Sequence, residues 1–321
     1  MTDLVTRRAA LALTGAALAA PALAQSFPTR PLRFVVPFPP GGTADVLARL
    51  AAREMEAGLG QPVVVENRAG AGGAIGSEQV ARSAPDGYSL LLSNIASQAI
   101  GPAVTRNLPY DPVRDFTHIG LIAAVPSALA VSSTSPYQTL ADLLAAARQG
   151  AGRIRFGSNG NGTSSQAKLE ILKAAAGVDI THVPYRGSAP ATADVIGGQV
   201  EGLIAAVPDI GRNDRLRLLM ITTQTRAARW PEVPSAAEAG FPMLVASNWF
   251  GLSGPAGIPP AIADRINAAL VAGLNRPEMA DRLRDLGAEP NSMTRAEYTA
   301  LVASEVPRWA AVVSSANIRA D

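Results

Sequence analysis

Short apolar runs alternate with amphipathic stretches along most of the chain, and loops rich in Gly or Pro separate them. The run Leu32–Phe38 is apolar apart from Arg33, a pattern typical of a buried parallel strand. It ends at a Pro-Pro-Gly-Gly sequence, after which Thr43–Glu56 shows the apolar spacing of an amphipathic helix. This order of strand, loop and helix predicts a parallel α/β sheet. The other elements predicted in this part are the strands Val63–Glu66 and Tyr88–Ser93 and the helix Ile75–Ser83.

The same order begins again after residue 122 and predicts a second α/β half. Its predicted strands are Ala123–Ser132, Arg153–Gly157, Thr181–Pro184, Val200–Ala206, Leu216–Thr222 and Val245–Ser253. The predicted helices are Leu140–Arg148, Thr163–Ala176, Ala189–Gly197, Pro260–Asn275, Pro277–Leu286, Arg295–Ser304 and Pro307–Ser315. Each half carries a Gly-rich loop between a strand and a helix, where open α/β sheets bind their ligands. We therefore expect a binding cleft between the two halves.

The first 24 residues have the pattern of a signal peptide. Arg7 and Arg8 precede an apolar run of about a dozen residues, too short for a membrane-spanning helix of about 20. The run leads to an Ala-Leu-Ala sequence that ends at Ala24, where we expect cleavage. The paired arginines favour twin-arginine export, with the Sec route and a buried N-terminal helix as alternatives. We therefore expect an exported protein.

Composition narrows the class of function. The chain has 321 residues, which suggests two domains, and its 48% hydrophobic and 17% charged content excludes a disordered chain. The net charge is only +2 and basic residues are interspersed with acidic ones, so the sequence lacks the clustered positive charge typical of nucleic-acid-binding proteins. Without Cys there is no disulfide or thiolate site, and the two histidines, His118 and His182, lack metal-ligand spacing. With no catalytic constellation, the sequence favours a binding protein without metal or cofactor over an enzyme.

Two loops carry the candidate chemistry. In the first, residues 38–45, glycines let backbone N–H groups approach an anion, and a helix N-terminus adds about half a positive charge. No Lys follows the glycines, so the loop is not a nucleotide phosphate loop. The second loop, Gly157–Thr163, has three glycines and also precedes a helix. Facing each other, the two loops would suit a ligand with a carboxylate at each end. The alternatives are simple tight turns, with Asp45 stabilising the first helical turn and Thr163 acting only as an N-cap.

A series of motifs in a fixed order covers almost the whole chain after residue 26. They include Pro37–Gly42 with Asp45, Asn67-Arg68 before Gly70–Gly73, Pro85–Tyr88, Tyr110–Pro112, Gly157–Thr163, Val183–Gly187, Gly197–Val200, Glu238–Gly240 and Pro255–Gly257. In these motifs the chain resembles the Bug (TctC-like) family, the periplasmic solute-binding proteins of tripartite tricarboxylate transporters. The resemblance implies an α/β Venus-flytrap (type II) fold whose two lobes are mostly parallel sheets flanked by helices. Two crossover strands would join lobe 1, residues 27–124 and 239–321, to lobe 2, residues 125–238.

The same resemblance implies a function. A periplasmic monomer would capture a small organic carboxylate and deliver it to the large and small membrane subunits of a tripartite tricarboxylate transporter. Signalling to a membrane sensor kinase, or a secreted enzyme using the cleft, are the alternatives.

The resemblance also implies ligand contacts from the first pincer (residues 38–45), the second pincer (residues 158–163), the loop after the third strand, and a few neighbours. These residues are Phe38, Gly41, Gly42, Thr43, Asp45, Ser93, Asn94, Ser97, Ser158, Gly160, Gly162, Thr163, Gln166, Tyr185 and Asp209. The family commonly has His-Leu where this chain has Gln166-Ala167, whereas Glu170 matches the family. A glutamine donates hydrogen bonds but carries no positive charge, so a ligand group paired there in relatives would be bound differently here.

Overall fold

The computed structural model describes residues 27–288 and 291–315. The predicted signal peptide, residues 1–24, lies outside the described residues. Two five-stranded sheets, each flanked by helices, form the architecture, and the predicted two-part α/β fold is confirmed. No helix in the described ranges combines the length and apolar character needed to cross a membrane.

The first sheet has the strand order β2-β1-β3-β10-β4. The strand β1 is parallel to both β2 and β3, as the sequence pattern predicts, whereas β10 is antiparallel to β3 and β4. All of β1 except Arg33 is buried, which explains its nearly continuous apolar sequence. The strands are β1 Leu32–Val36, β2 Val63–Asn67, β3 Ser89–Asn94, β4 Phe116–Val125 and β10 Asn248–Pro255.

The second sheet repeats this plan with the order β7-β6-β8-β5-β9. The strand β6 is parallel to β7 and β8, and β5 is antiparallel to β8 and β9. Its strands are β5 Ser127–Ser132, β6 Arg155–Ser158, β7 Thr181–Pro184, β8 Gly202–Ala206 and β9 Leu216–Ile221. In both sheets the parallel strands end at loops that precede helices. The loops of one sheet lie opposite those of the other.

The helices cover the faces of the sheets with apolar stripes. In α1, for example, Leu47, Ala51 and Met55 are buried at helical spacing, and Gly60 ends the helix in the left-handed conformation. The helices are α1 Thr43–Leu59, α2 Ala74–Ala81, α3 Gly101–Val104, α4 Leu140–Arg148, α5 Ser164–Ala176, α6 Ser188–Ile196, α7 Val207–Ile210, α8 Pro260–Leu274, α9 Pro277–Asp285 and α10 Arg295–Ser315. A π-helical turn, Ala96–Ile100, and two short 3-10 turns, Ala71–Gly73 and Pro242–Leu244, complete the elements.

The chain passes between the sheets twice, once at Pro126 between β4 and β5 and once between β9 and β10. A buried polar cluster joins the two crossings. Asn248 Nδ2 donates to Val125 O at 3.3 Å and to Ser127 Oγ at 3.0 Å. From α5, Lys168 Nζ donates to Ser127 Oγ at 2.8 Å and to Asn248 Oδ1 at 3.2 Å. One helix of the second half thus holds both connections to the first.

Three predicted elements differ from the structure, and the strand predicted at Val245–Ser253 in the second half belongs to the first sheet as β10. The predicted strand Ala123–Ser132 is divided at Pro126 into β4 and β5, which belong to different sheets, because proline cannot donate a hydrogen bond to a sheet. The strand β4 also begins seven residues earlier, at Phe116. The two predicted C-terminal helices form one helix, α10, that continues through Pro307. Buried side chains on both sides of Pro307, among them Val302 and Trp309, hold the helix together.

Candidate functional site

A cavity of about 310 Å³ lies between the two sheets, where their strand-to-helix loops meet. It is bordered by the loops after β1, β3, β6, β7 and β8, and by residues of β10 and the C-terminal end of α9. Its polar lining residues are Thr43, Asn94, Asn159, Thr163, Ser164, Ser165, Arg186, Ser188, Asp209 and Asn248.

The first pincer is shaped by Asp45, which lies behind the loop. Gly41 has a φ of 83°, a conformation that favours glycine, and its N–H donates to Asp45 Oδ2 at 3.0 Å. The same carboxylate accepts hydrogen bonds from Arg49 Nε and Asn67 Nδ2, each at 3.0 Å. Burial raises the pKa of Asp45, but the hydrogen bonds from Arg49, Gly41 and Asn67 outweigh it and hold the pKa below its usual value. Asp45 therefore fixes the loop from within rather than lining the cavity.

The second pincer is held by its own side chains. Ser158 Oγ lies 2.6 Å from His182 Nε2 and accepts from Gly160 N–H at 3.1 Å. Gly162, with a φ of 71°, donates its N–H to Gln166 Oε1 at 2.7 Å, so the residue that departs from the family pattern supports the loop. The Thr163 hydroxyl donates to Gly160 O at 2.6 Å and does not cap α5. The first turn of α5, with Ser164 and Ser165, lines the cavity.

A third helix N-terminus, which the sequence analysis did not single out, also reaches the cavity. Arg186, Gly187 and Ser188 follow β7 and open α6, and all three line the cavity. The signal was the same as in the two pincers, a strand followed by Gly and a helix. Arg186 is exposed, and among the described residues no acidic side chain forms a salt bridge with it. Its guanidinium is thus available to a ligand anion.

Asp209, at the start of α7, forms hydrogen bonds with the other half of the molecule. Its Oδ1 accepts hydrogen bonds from Thr43 N–H at 2.8 Å and from the Thr43 hydroxyl at 2.6 Å, both at the N-terminus of α1. Its Oδ2 accepts from the Ser188 hydroxyl at the start of α6. Among the described residues that line the cavity, Arg186 and Asp209 are the charged ones.

The sequence-predicted site residues fall into three groups. One group lines the cavity and comprises Phe38, Gly41, Gly42, Thr43, Asn94, Thr163 and Asp209. A second group lies behind the loops and supports them, and comprises Asp45, Ser158, Gly160, Gly162 and Gln166. The third group points elsewhere and comprises Ser93, Ser97 and Tyr185.

The residues of the third group have protein partners. Ser93 Oγ is buried within 2.7 Å of Ser253 Oγ and 2.8 Å of Tyr298 Oη. Ser97 is also buried: its hydroxyl donates to Asn94 Oδ1 at 3.1 Å, and its backbone carbonyl accepts the Tyr110 hydroxyl at 2.6 Å. The Tyr185 hydroxyl donates to Asp194 Oδ2 at 2.7 Å, and burial together with this carboxylate raises the pKa of Tyr185 to about 12. These contacts give all three residues structural roles.

The site is suited to binding a small anion. Three helix N-termini converge on it, each carrying about half a positive charge, and at one of them, that of α1, the Asp209 carboxylate already accepts the Thr43 N–H. Within residues 27–288 and 291–315, no group of three or more His, Cys, Asp or Glu side chains could hold a metal ion. Burial lowers the pKa of His118 to about 4, and its ring contacts Pro112 O and Ser253 Oγ away from the cavity.

Comparisons with known proteins give a consistent result. The sequence model of a protein family, the tripartite tricarboxylate transporter family receptor, matches residues 47–318. BugT of Bordetella pertussis is 37% identical over 302 residues, covering 93% of each chain. The solved structure of Rpa4515 from R. palustris with adipate has a TM-score of 0.87 at 35% identity, and covers 91% of this chain and 99% of that one. MatC from Rhodopseudomonas palustris with bound malate has a TM-score of 0.85 at 32% identity, and covers 89% and 100%.

Proposed function

The chain belongs to the tripartite tricarboxylate transporter receptor (TctC) family, and on this premise we propose that it binds a small organic carboxylate in the cavity described above. The convergence of three helix N-termini and Arg186 on one cavity is the observation that carries the proposal. Two relatives of the same fold hold dicarboxylates, adipate and malate, in their structures. Members of this family are solute-binding receptors, and periplasmic binding proteins are among its solved structures.

The ligand carboxylate binds on the side of the cavity that is formed by the second half of the molecule. There the first turn of α5 offers backbone N–H groups beside the Ser164 and Ser165 hydroxyls, and Arg186, just before α6 in the same half, adds a charged group to the cavity lining. Hydrogen bonds between ionised groups are roughly twice as strong as neutral ones, and exclusion of water strengthens them further. The apolar lining, with Phe38, Ile95 and Phe250, accommodates the rest of the ligand.

Ligand capture requires the cavity to open, and two crossings of the chain provide the hinge. Lobe 1, residues 27–124 and 239–321, and lobe 2, residues 125–238, rotate about these crossings. The two separate sheets support this division, and opening would break hydrogen bonds that join the lobes. They include the Asp209–Thr43 hydrogen bonds and the bond from Arg212 Nη2 to Asp285 O at 2.6 Å. After closure, the loaded monomer delivers its ligand in the periplasm to the large and small membrane subunits of a tripartite tricarboxylate transporter.

Calorimetry with a panel of mono-, di- and tricarboxylates tests the proposal. We expect at least one to bind the wild-type protein, and Arg186→Gln to weaken that binding about 10- to 100-fold, since a charge-assisted hydrogen bond contributes about 1.5–3 kcal/mol. Arg153→Gln is the matched control, because Arg153 is an exposed arginine at the opposite end of β6. Its dissociation constant should stay within about twofold of the wild type.

Absence of binding by any carboxylate to folded protein would contradict the function. If Arg186→Gln bound the ligand with unchanged affinity, the proposed function would remain, but Arg186 would not be a ligand contact.

A further inference from the structure

Asp209 occupies a place in the cavity that suits a ligand anion. Its Oδ1 accepts both the backbone N–H of Thr43, at 2.8 Å, and the Thr43 hydroxyl, at 2.6 Å. Thr43 is the first residue of α1, and Gly42 before it makes no side-chain cap. The carboxylate of Asp209 therefore binds the N-terminus of α1 in the way expected of a ligand carboxylate.

A second contact fixes Asp209 from its own half. Its Oδ2 accepts the hydroxyl of Ser188, the first residue of α6. The carboxylate is thus placed between two helix N-termini, one in each half of the molecule. Pro208 precedes it in the first turn of α7, so the backbone that carries it is also restricted.

This arrangement makes the two ends of the cavity chemically different. At the end formed by α5, Ser164 and Ser165 line the cavity, and Arg186 lines it just before α6. At the end formed by α1, a negative charge already takes the hydrogen-bond donors of Thr43. A second ligand carboxylate arriving at that end would meet Asp209 directly, and like charges at short distance repel.

We propose that Asp209 determines ligand specificity by excluding dicarboxylates. The preferred ligand is a monocarboxylate that places its carboxylate at the N-terminus of α5 and presents a neutral or hydrogen-bond-donating group, such as a hydroxyl or ammonium, to Asp209. This inference rests on the proposed function, because it assigns the polarity of that same site. It replaces the symmetrical ligand with two carboxylates that the two Gly-rich loops suggested from sequence.

The test uses ligand pairs that differ only at one end. Adipate and 6-hydroxyhexanoate have six carbons each, and succinate and 4-hydroxybutyrate have four, with a hydroxyl replacing one carboxylate in each pair. Calorimetry of the wild-type protein should give at least tenfold tighter binding of the hydroxy acid in whichever pair binds. In Asp209→Asn, which keeps the shape and an acceptor for Thr43 but removes the charge, this ratio should fall at least tenfold.

Asp214→Asn is the control, because Asp214 is an exposed aspartate of the same half and does not line the cavity. It should retain the wild-type ratio. Wild-type protein that prefers the dicarboxylate, or a ratio unchanged by Asp209→Asn, would overturn the inference while leaving carboxylate binding intact. If neither member of any pair, nor any acid of the wider carboxylate panel, binds folded wild-type protein, the proposed function fails and the inference with it.

Discussion

Lys168 is a fully buried lysine at the point where the chain crosses between the sheets. Its Nζ donates to two neutral oxygens, Ser127 Oγ and Asn248 Oδ1, and no described carboxylate forms a salt bridge with it. Burial, with a smaller contribution from the charge of Arg308, lowers the pKa of Lys168 to about 7. The folded protein therefore holds this amine largely neutral above neutral pH, whereas the unfolded chain holds it charged.

This difference predicts a pH-dependent stability. Between pH 10.5 and about 7 the unfolded chain binds the proton more readily, so the Lys168 contribution to the free energy of unfolding falls as pH falls. Its slope is at most about 1.4 kcal/mol per pH unit. Denaturant titrations at pH 7.5, 8.5 and 9.5 should show this slope in the wild type and lose it in Lys168→Met.

Lys173→Met provides the comparison, since Lys173 lies in the same helix but pairs with Glu170 at 2.9 Å. It should keep the wild-type slope. Equal slopes in the wild type and Lys168→Met would contradict the lowered pKa.

Most of the loop residues at the site could be predicted from the sequence, but their roles could not. The Gly-rich loops were recognisable because glycine and the following helix are local features. The contact between Asp209 and Thr43 joins residues 166 positions apart, so no local pattern could place that carboxylate at α1. The buried position of the Ser93 hydroxyl likewise depends on Tyr298, which reaches it from an element 205 positions away.

Among the elements, α10 contacts the first sheet through the Tyr298 hydroxyl, described above, and through a buried carboxylate, that of Glu305. Glu305 Oε2 accepts the indole N–H groups of Trp249, in β10, and Trp309, each at 3.1 Å. Glu305 Oε1 accepts from Arg308 Nη1 at 2.6 Å. This buried group joins the C-terminal helix to the strand that begins at the second crossing.

Replacing that carboxylate should weaken the attachment. We expect Glu305→Gln to lower the free energy of unfolding by about 1–3 kcal/mol, because the salt bridge is lost and one amide oxygen replaces a charged acceptor for two indoles. Urea titration followed by circular dichroism measures this change. Glu278→Gln, at an exposed position of α9, should change it by less than about 0.5 kcal/mol. A similar loss in both variants would show that the Glu305 carboxylate does not stabilise the attachment of α10.

Elements with a simple pattern were predictable from sequence, and the exceptions have physical causes. β1 and α1 follow apolar periodicities that burial requires, and their predicted bounds are close to the observed ones. β4 contains Thr117, His118 and Gly120, which interrupt an apolar run. His118 is nevertheless buried, because Pro112 O and Ser253 Oγ bind its ring, and sequence alone does not reveal these partners.

In the whole molecule, one hydrophobic cluster spans the two sheets, beside clusters that belong to each half alone. A single buried cluster contains Leu121 of β4 and Trp249 of β10 together with Leu129 of β5 and Ile204 of β8. Separating the halves would expose this shared surface to water, which is unfavourable. The halves therefore depend on each other for stability even though each has its own sheet.

We accordingly expect the protein to unfold in one transition. Differential scanning calorimetry should give a ratio of calorimetric to van't Hoff enthalpy near 1, as for a two-state protein. Two independently folding halves would give two transitions or a ratio near 2, and either result would contradict a shared core.

The cavity attracts anions mainly through helix ends, and this has a consequence for the speed of ligand capture. Among the described lining residues the charges of Arg186 and Asp209 cancel, and the full sequence carries only +2. The attraction of helix N-termini fades beyond the first turn, so it acts on a ligand already inside and does not draw one from solution. The association rate should therefore depend little on ionic strength, and this receptor gains its selectivity after encounter, through how long each ligand stays.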